Sequence, residues 1–234
     1  MRPRCWRPSK RCCTGRGATG RRGAANTVPR RTAHERDTAG RATRHRPQKR
    51  APDRHTGCTD LPLTAKGESE ARELGRRLVD IEFTHVLTSP RQRAQRTCEL
   101  TGVRPAAQID PDLAEWDYGD YEGRRTVDIH KERPDWNLFQ DGCPGGELPA
   151  QVSDRADRLI AHLRALNGNV ALFSHGQFGC VLAARWIGMP VVDGQHFTLG
   201  TASLGMLGFA PRHPQVPVIA VWNAASHETV DSTP

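Results

Sequence analysis

Residues 169–176 read Asn-Val-Ala-Leu-Phe-Ser-His-Gly. Four apolar residues, Val170 to Phe173, make the short continuous run expected of a buried strand. The run stops at Ser174, a His follows at 175, and Gly176 opens a segment of helical character. Open α/β sheets bind ligands in the crevice beyond the carboxyl ends of their strands. A His at that place is aimed at a ligand rather than at a core. The fold then turns on whether other segments deliver partners to the same edge.

The surrounding sequence supplies them. Thr84-His85-Val86-Leu87-Thr88 predicts a second strand, and Pro90 suits the first turn of a helix that runs to Thr101 and stops at Gly102. Upstream, Thr64 is placed to cap a helix through Val79, with Glu68, Glu70 and Glu73 in its early turns. Ala71, Leu74 and Leu78 give that helix one apolar face. Residues 106–109 predict a short strand, 111–124 a loop dense in carboxylates, aromatics and glycine, and 126–133 a short helix. Residues 140–147 read as a loop. A helix over 150–166 places Val152, Ala156, Leu159, Ile160 and Leu163 on one face, another follows Gly176 through Ile187, and 203–209 and 216–222 read as two closing strands. Strands alternating with helices predict an α/β protein: a three-layer, mostly parallel sheet flanked by helices.

Charge divides the chain. Of 234 residues with net charge +8, the first 50 hold fourteen Arg and two Lys against one Glu and one Asp, a net +14 that leaves −6 on the other 184. Trp6 and Val28 are the only strongly apolar residues between Arg2 and Arg50, and the first Leu is Leu61. A segment so poor in apolar surface cannot offset its ordering entropy, so 1–51 is expected to be disordered. It reads as a nucleic-acid-binding arm, as an organelle transit peptide, or as translation of a GC-rich gene out of frame. The folded domain is expected over 52–224, with a flexible tail at 225–234. No apolar run approaches the roughly 20 residues that span a bilayer, and none resembles a secretory leader, so a cytoplasmic protein without a membrane partner is expected. Seven irregularly spaced cysteines contain no C-x-x-C pair, which argues against a zinc site and a disulfide framework.

Two strand ends now look alike. Thr88-Ser89-Pro90 leads into a helix bearing Arg91, Arg93 and Arg96, and Ser174-His175-Gly176 leads into another. Both bring helix N-termini to one side of the sheet, where backbone N–H groups suit an anion. An Arg there can grip phosphate with two parallel hydrogen bonds, and a His suits phosphoryl chemistry near neutral pH. A carboxylic acid from 111–124 could protonate a leaving oxygen, but spacing alone does not choose among Asp112, Glu115, Asp117, Asp120 and Glu122. Arg91 and Arg96 read as solvated helix-face residues.

The stretches RHTGCTDLPLTAKGE (54–68), TSPRQRAQRT (88–97), EWDYGDYEG (115–123), DGCPGGE (141–147) and SHG (174–176) resemble the histidine phosphatase superfamily, the phosphoglycerate-mutase-like proteins. They are most similar to its small acid phosphatases. By this resemblance Arg93 binds the phosphoryl group, together with Arg54, Thr56, Gly57 and Gly176 of the substrate loop and the helix start. Glu115 is the proton donor, and His175 is the second catalytic His, which stabilises the phosphoryl group in flight. The implied reaction is phosphomonoester hydrolysis through a phosphohistidine, on a small phosphorylated metabolite, with no metal and no other cofactor. Phosphotransfer of the mutase type and an inactive phosphate-ester-binding protein are the alternatives, and nucleic acid is a partner only if the basic arm is genuine.

One departure is severe. The family's nucleophile is a His in an Arg-His-Gly that ends the first strand, mid-sheet, some ten residues before the RHTG loop. Here that position reads Arg41-Ala42-Thr43-Arg44-His45-Arg46-Pro47, with no apolar run before it and Arg46 in place of Gly. His45 stands about where the nucleophile belongs, and the first strand is missing or replaced, so impaired activity is expected. Gln177 after SHG and Leu148 after Gly-Gly-Glu are smaller departures beside the site.

Overall fold

The computed structural model describes residues 54–224. The expected disordered segment 1–51, the tail 225–234 and His45 lie outside them. Helix α1 spans Ala65–Leu78, and the Thr64 hydroxyl accepts from the Gly67 amide at 3.1 Å. Glu68 in its first turn and Arg76 and Arg77 in its last complement the helix dipole. Its buried residues are the predicted Ala71, Leu74 and Leu78, and it packs on α2. Strand β1 is His85–Thr88, and α2 is Gln92–Thr101. Gly102 closes α2 in the left-handed region at φ 71°, where a residue with a Cβ is strained.

Strand β2, Gln108–Ile109, leads into two single 3₁₀ turns, Pro111–Leu113 and Gly119–Tyr121. Then come α3 (Thr126–Glu132), α4 (Leu138–Asp141), α5 (Pro149–Ala165), β3 (Val170–Phe173) and α6 (Gly176–Trp186). Strands β4 (Leu204–Ala210) and β5 (His213–Ala224) close the described chain. The predicted loop at 140–147 is corrected at its start, which belongs to α4. Asn137 caps that turn by accepting from the Phe139 amide, and Leu138 and Phe139 are buried. A single turn carries no periodicity for a sequence to reveal.

The sheet runs β2-β1-β3, all parallel. Side chains alternate between its faces, and the packing follows that alternation. Val86 and Phe173 join Ala94 and Cys98 of α2 in one cluster. Leu87 joins the larger cluster of Leu113, Trp116, Phe139, Leu159, Phe178 and Val181. Helix α2 thus covers one face and α5 and α6 the other, giving the predicted three layers. The two closing strands pair antiparallel with each other, in a separate ladder. Among the described residues β3 pairs with β1 alone. No described helix is long and apolar enough to cross a membrane.

Candidate active site

Register builds the site. Thr88 pairs with Phe173, so Ser89 and Ser174 leave their strands side by side, and the Ser89 amide donates to the Phe173 carbonyl at 2.9 Å. Arg93 then lies in the first turn of α2, and His175 is the N-cap of α6. Arg93 Nε donates to His175 Nδ1 at 3.2 Å, and its two terminal nitrogens donate to the Thr59 and Thr56 carbonyls, each at 3.0 Å. His175 Nε2 lies 2.7 Å from the hydroxyl of Ser89, which is fully buried. Burial lowers the Arg93 pKa from its ordinary value. Burial, then the charges of Arg93, Arg91 and Arg155, pushes His175 down to about 3, so the ring is neutral near pH 7.

Glu115 reaches the start of the same helix. Its carboxylate accepts from the amides of Phe178 (2.9 Å), Gln177 (3.2 Å) and Trp116 (2.9 Å), the first two at the N-terminus of α6. Burial raises its pKa, against the pull of those amides and of Arg93. Arg155 of α5 holds the segment that carries Glu115. It donates to the Asp112 and Ala114 carbonyls (2.9 and 2.7 Å) and to both carboxylate oxygens of Glu147 (3.0 and 2.8 Å), and lies over the Phe178 ring. Glu147 also accepts from the Asp117 amide at 2.9 Å.

The 54–60 loop forms the third wall. Glu122 accepts from the amides of Gly57 and Thr59 (3.0 and 2.8 Å) and from the Thr59 hydroxyl. Burial alone raises its pKa, but these hydrogen bonds outweigh it and the net shift is downward. A Cβ on Gly57 would stand 2.0 Å from the Trp116 carbonyl oxygen, so only glycine lets the loop lie this close. His55 Nε2 is 3.1 Å from the Thr126 hydroxyl, and its ring packs on Tyr118. The Arg54 guanidinium donates to the Gly123 carbonyl.

These walls enclose a cleft of about 530 Å³. Of the predicted residues, Arg54, Thr56, Glu115 and Gly176 line it. Arg93 and His175 adjoin it through the bonds to Thr56 and the start of α6. Gly57 is packed against Trp116 and turns its amide to Glu122. Sequence reasoning missed Ser89, Glu147 and Arg155, and weighed Glu122 only as a proton donor, not as the anchor of the 54–60 loop. Ser89 carried a signal, since it ends a strand beside its equivalent Ser174. The bonds of the other three span 8 to 65 residues of sequence separation, and no local pattern signals them. Arg91 corrects its reading as a solvated residue: its Nε is buried without a hydrogen-bond partner, and its charge acts on His175 and Arg93. Among the described residues no cluster of three or more metal-ligating side chains occurs.

Comparison with known proteins follows the same outline. The profile of the histidine phosphatase superfamily (branch 1) matches residues 42–223. The chain is 40% identical over 172 residues to an acid phosphatase of Mycobacterium tuberculosis, covering 72% of this chain and 84% of that protein. It is 34% identical over 171 residues to sedoheptulose 1,7-bisphosphatase of Saccharomyces cerevisiae, covering 58% of this chain and 62% of that one. Among solved structures, that of an open reading frame from Mycobacterium tuberculosis superposes with a TM-score of 0.70 at 37% identity, over 75% of this chain and 91% of the other.

Proposed function

The chain belongs to the histidine phosphatase superfamily (branch 1), and from that premise we propose that its cleft binds and hydrolyses small phosphate monoesters. The observation that carries this reading is the convergence of Arg93, His175 and Glu115 from three separate segments onto the start of α6. Arg93 offers positive charge and donors to phosphoryl oxygens, the principal task in such transfers, and the His175 ring lies beside it. Glu115, with its raised pKa, supplies the proton for the leaving alkoxide. In the first step a His nitrogen bonds to phosphorus, the ester P–O bond breaks, and the leaving oxygen takes the Glu115 proton. In the second, a water oxygen bonds to phosphorus and gives a proton to Glu115, the P–N bond breaks with its electron pair returning to the His nitrogen, and inorganic phosphate leaves. Splitting the displacement lowers each barrier.

His45 is the candidate for the attacking His and lies outside the described residues. It lacks the glycine that follows the family's nucleophile and the apolar strand that precedes it. A nucleophile must be held rigidly, so turnover in this chain is expected to fall below that of its relatives while phosphate binding survives. That departure also supports the second reading, a phosphate-ester-binding protein without turnover. Hydrolysis of p-nitrophenyl phosphate by the full chain, beside equilibrium binding of phosphate, separates them. Slow turnover lost in Arg93→Ala, Glu115→Gln and His45→Ala supports the first reading. Turnover at the relatives' rate removes the impairment, and phosphate binding indifferent to Arg93→Ala removes the site.

A further inference from the structure

The two ring nitrogens of His175 have partners of different kinds. Arg93 Nε carries a hydrogen and has no lone pair to offer, so at 3.2 Å it can only donate, and His175 Nδ1 must be unprotonated. The single proton of the neutral ring is therefore on Nε2, where the Ser89 hydroxyl oxygen accepts it at 2.7 Å. The same oxygen accepts from the Arg91 amide at 3.2 Å. Ser89 is held in turn, because it is fully buried and its amide is bonded to Phe173. The ring is thus fixed from two sides, with a bare nitrogen turned toward the guanidinium that would grip a phosphoryl group.

Such a site is not ready for its ligand. A lone pair at Nδ1 repels the oxygen of a dianion, and Nδ1 can donate to that oxygen only after gaining a proton. We propose that Ser89 is a positioning residue of this site: it keeps the His175 proton on Nε2, so that a tetrahedral dianion entering beside Arg93 draws one further proton onto Nδ1. The proposal rests on the phosphoryl-site reading above and adds to it the protonation change that accompanies binding. The charged groups facing His175 are Arg93 and Arg91 at the start of α2 and Arg155 from α5, with Glu115 sharing the N-terminus of α6. Burial first, then the three cations, keeps the empty ring neutral, and the arriving dianion offsets the cations and favours the charged ring.

Sulfate is the suitable probe, because it is a tetrahedral dianion that does not itself titrate near neutral pH. In the full-length chain the sulfate dissociation constant should rise about tenfold per pH unit between about pH 5 and 7, since one proton is taken up per anion. The rise should persist in Glu115→Gln and vanish in His175→Gln. Nitrogen NMR of the free chain should show Nδ1 bare and Nε2 proton-bearing, and both proton-bearing once sulfate is added. Ser89→Ala removes the acceptor from the imidazolium, so the pH at which the rise levels off should move down by about one unit, with affinity near neutral pH about tenfold weaker. A merely structural Ser89 would weaken binding equally at every pH and leave that break in place. Sulfate binding with a flat pH profile, a proton on Nδ1 in the free chain, or a profile abolished by Glu115→Gln and kept in His175→Gln would each overturn the proposal while sparing the phosphoryl site. No sulfate binding at any pH would overturn both.

Discussion

Removing the Glu147 carboxylate, as in Glu147→Ala, should be the most damaging single change outside the cleft. The side chain makes three hydrogen bonds, two from Arg155 and one from the Asp117 amide. Arg155 is only 7% exposed and cannot turn to water when its partner goes. Its remaining acceptors are the Asp112, Ala114 and Glu115 carbonyls, which are neutral. Breaking a buried ion pair by deleting one partner leaves an uncompensated charge and typically costs about 3–5 kcal/mol. For a chain of this size that corresponds to a fall of roughly 6–20 °C in melting temperature. The double variant Glu147→Met/Arg155→Met should be less destabilised than the sum of its single variants, because it buries no orphaned charge. Urea unfolding of the four proteins, followed by tryptophan fluorescence, gives the coupling directly. If Glu147→Ala costs less than about 1 kcal/mol, the value of a surface pair, then Arg155 is not held as described and the reasoning fails.

His175 should make the fold acid-labile. Its pKa is lowered from 6.5 to about 3, so the unfolded chain binds the extra proton between those values and stability falls as pH drops through that window. The full shift corresponds to about 4–5 kcal/mol as an upper figure, and His175→Gln should flatten urea midpoints measured from pH 6.5 down to 4. An unchanged profile would show that other groups carry the acid sensitivity. Gly57→Ala drives a methyl group to 2.0 Å from the Trp116 carbonyl, so the 54–60 loop must shift; about 1–3 kcal/mol of stability and much of the phosphate affinity should be lost. Retained phosphate affinity, by calorimetry, would mean that the loop does not form the site. Glu122→Ala frees the Gly57 and Thr59 amides without removing a side chain that lines the cleft, and should weaken phosphate binding more than it lowers the melting temperature. The reverse order would make Glu122 a purely structural residue.

Much of the fold was legible because its signals are local. Thr64 and Gly102 mark a helix start and a helix end through hydrogen bonding and backbone conformation that the residue itself dictates. Val170–Phe173 is a strand because four apolar residues bounded by polar ones admit little else. The register of Thr88 against Phe173, which makes two strand ends into one site, is not written at either strand. It follows from packing on both faces of the sheet. The pairing of the last two strands with each other, rather than with the parallel sheet, is likewise a tertiary outcome. Arg91 shows the same limit, since an arginine at a helix start reads as solvated until the neighbouring strand end is known.

The acidic loop shows what geometry adds to chemistry. Five carboxylates crowd residues 112–122, and each is chemically able to donate a proton. Asp112 pairs with the exposed Arg158 at 2.8 Å, which keeps it at the surface. Asp117 accepts from the Gly119 amide two residues on, a local turn bond. Asp120 is exposed. Glu122 spends its oxygens on the 54–60 loop, and its net pKa shift is downward, the wrong direction for an acid at neutral pH. Glu115 alone of the five combines a lining position in the cleft, a raised pKa and electrostatic contact with Arg93. Its three amide partners favour the carboxylate, yet burial prevails. On the function proposed above, a desolvated acid at the N-terminus of the helix that His175 caps would give up its proton as negative charge leaves with the alkoxide, and take one back from water in the second step. The choice among the five as proposed proton donor therefore rests on which carboxylate the fold desolvates, a property that no spacing within the loop encodes.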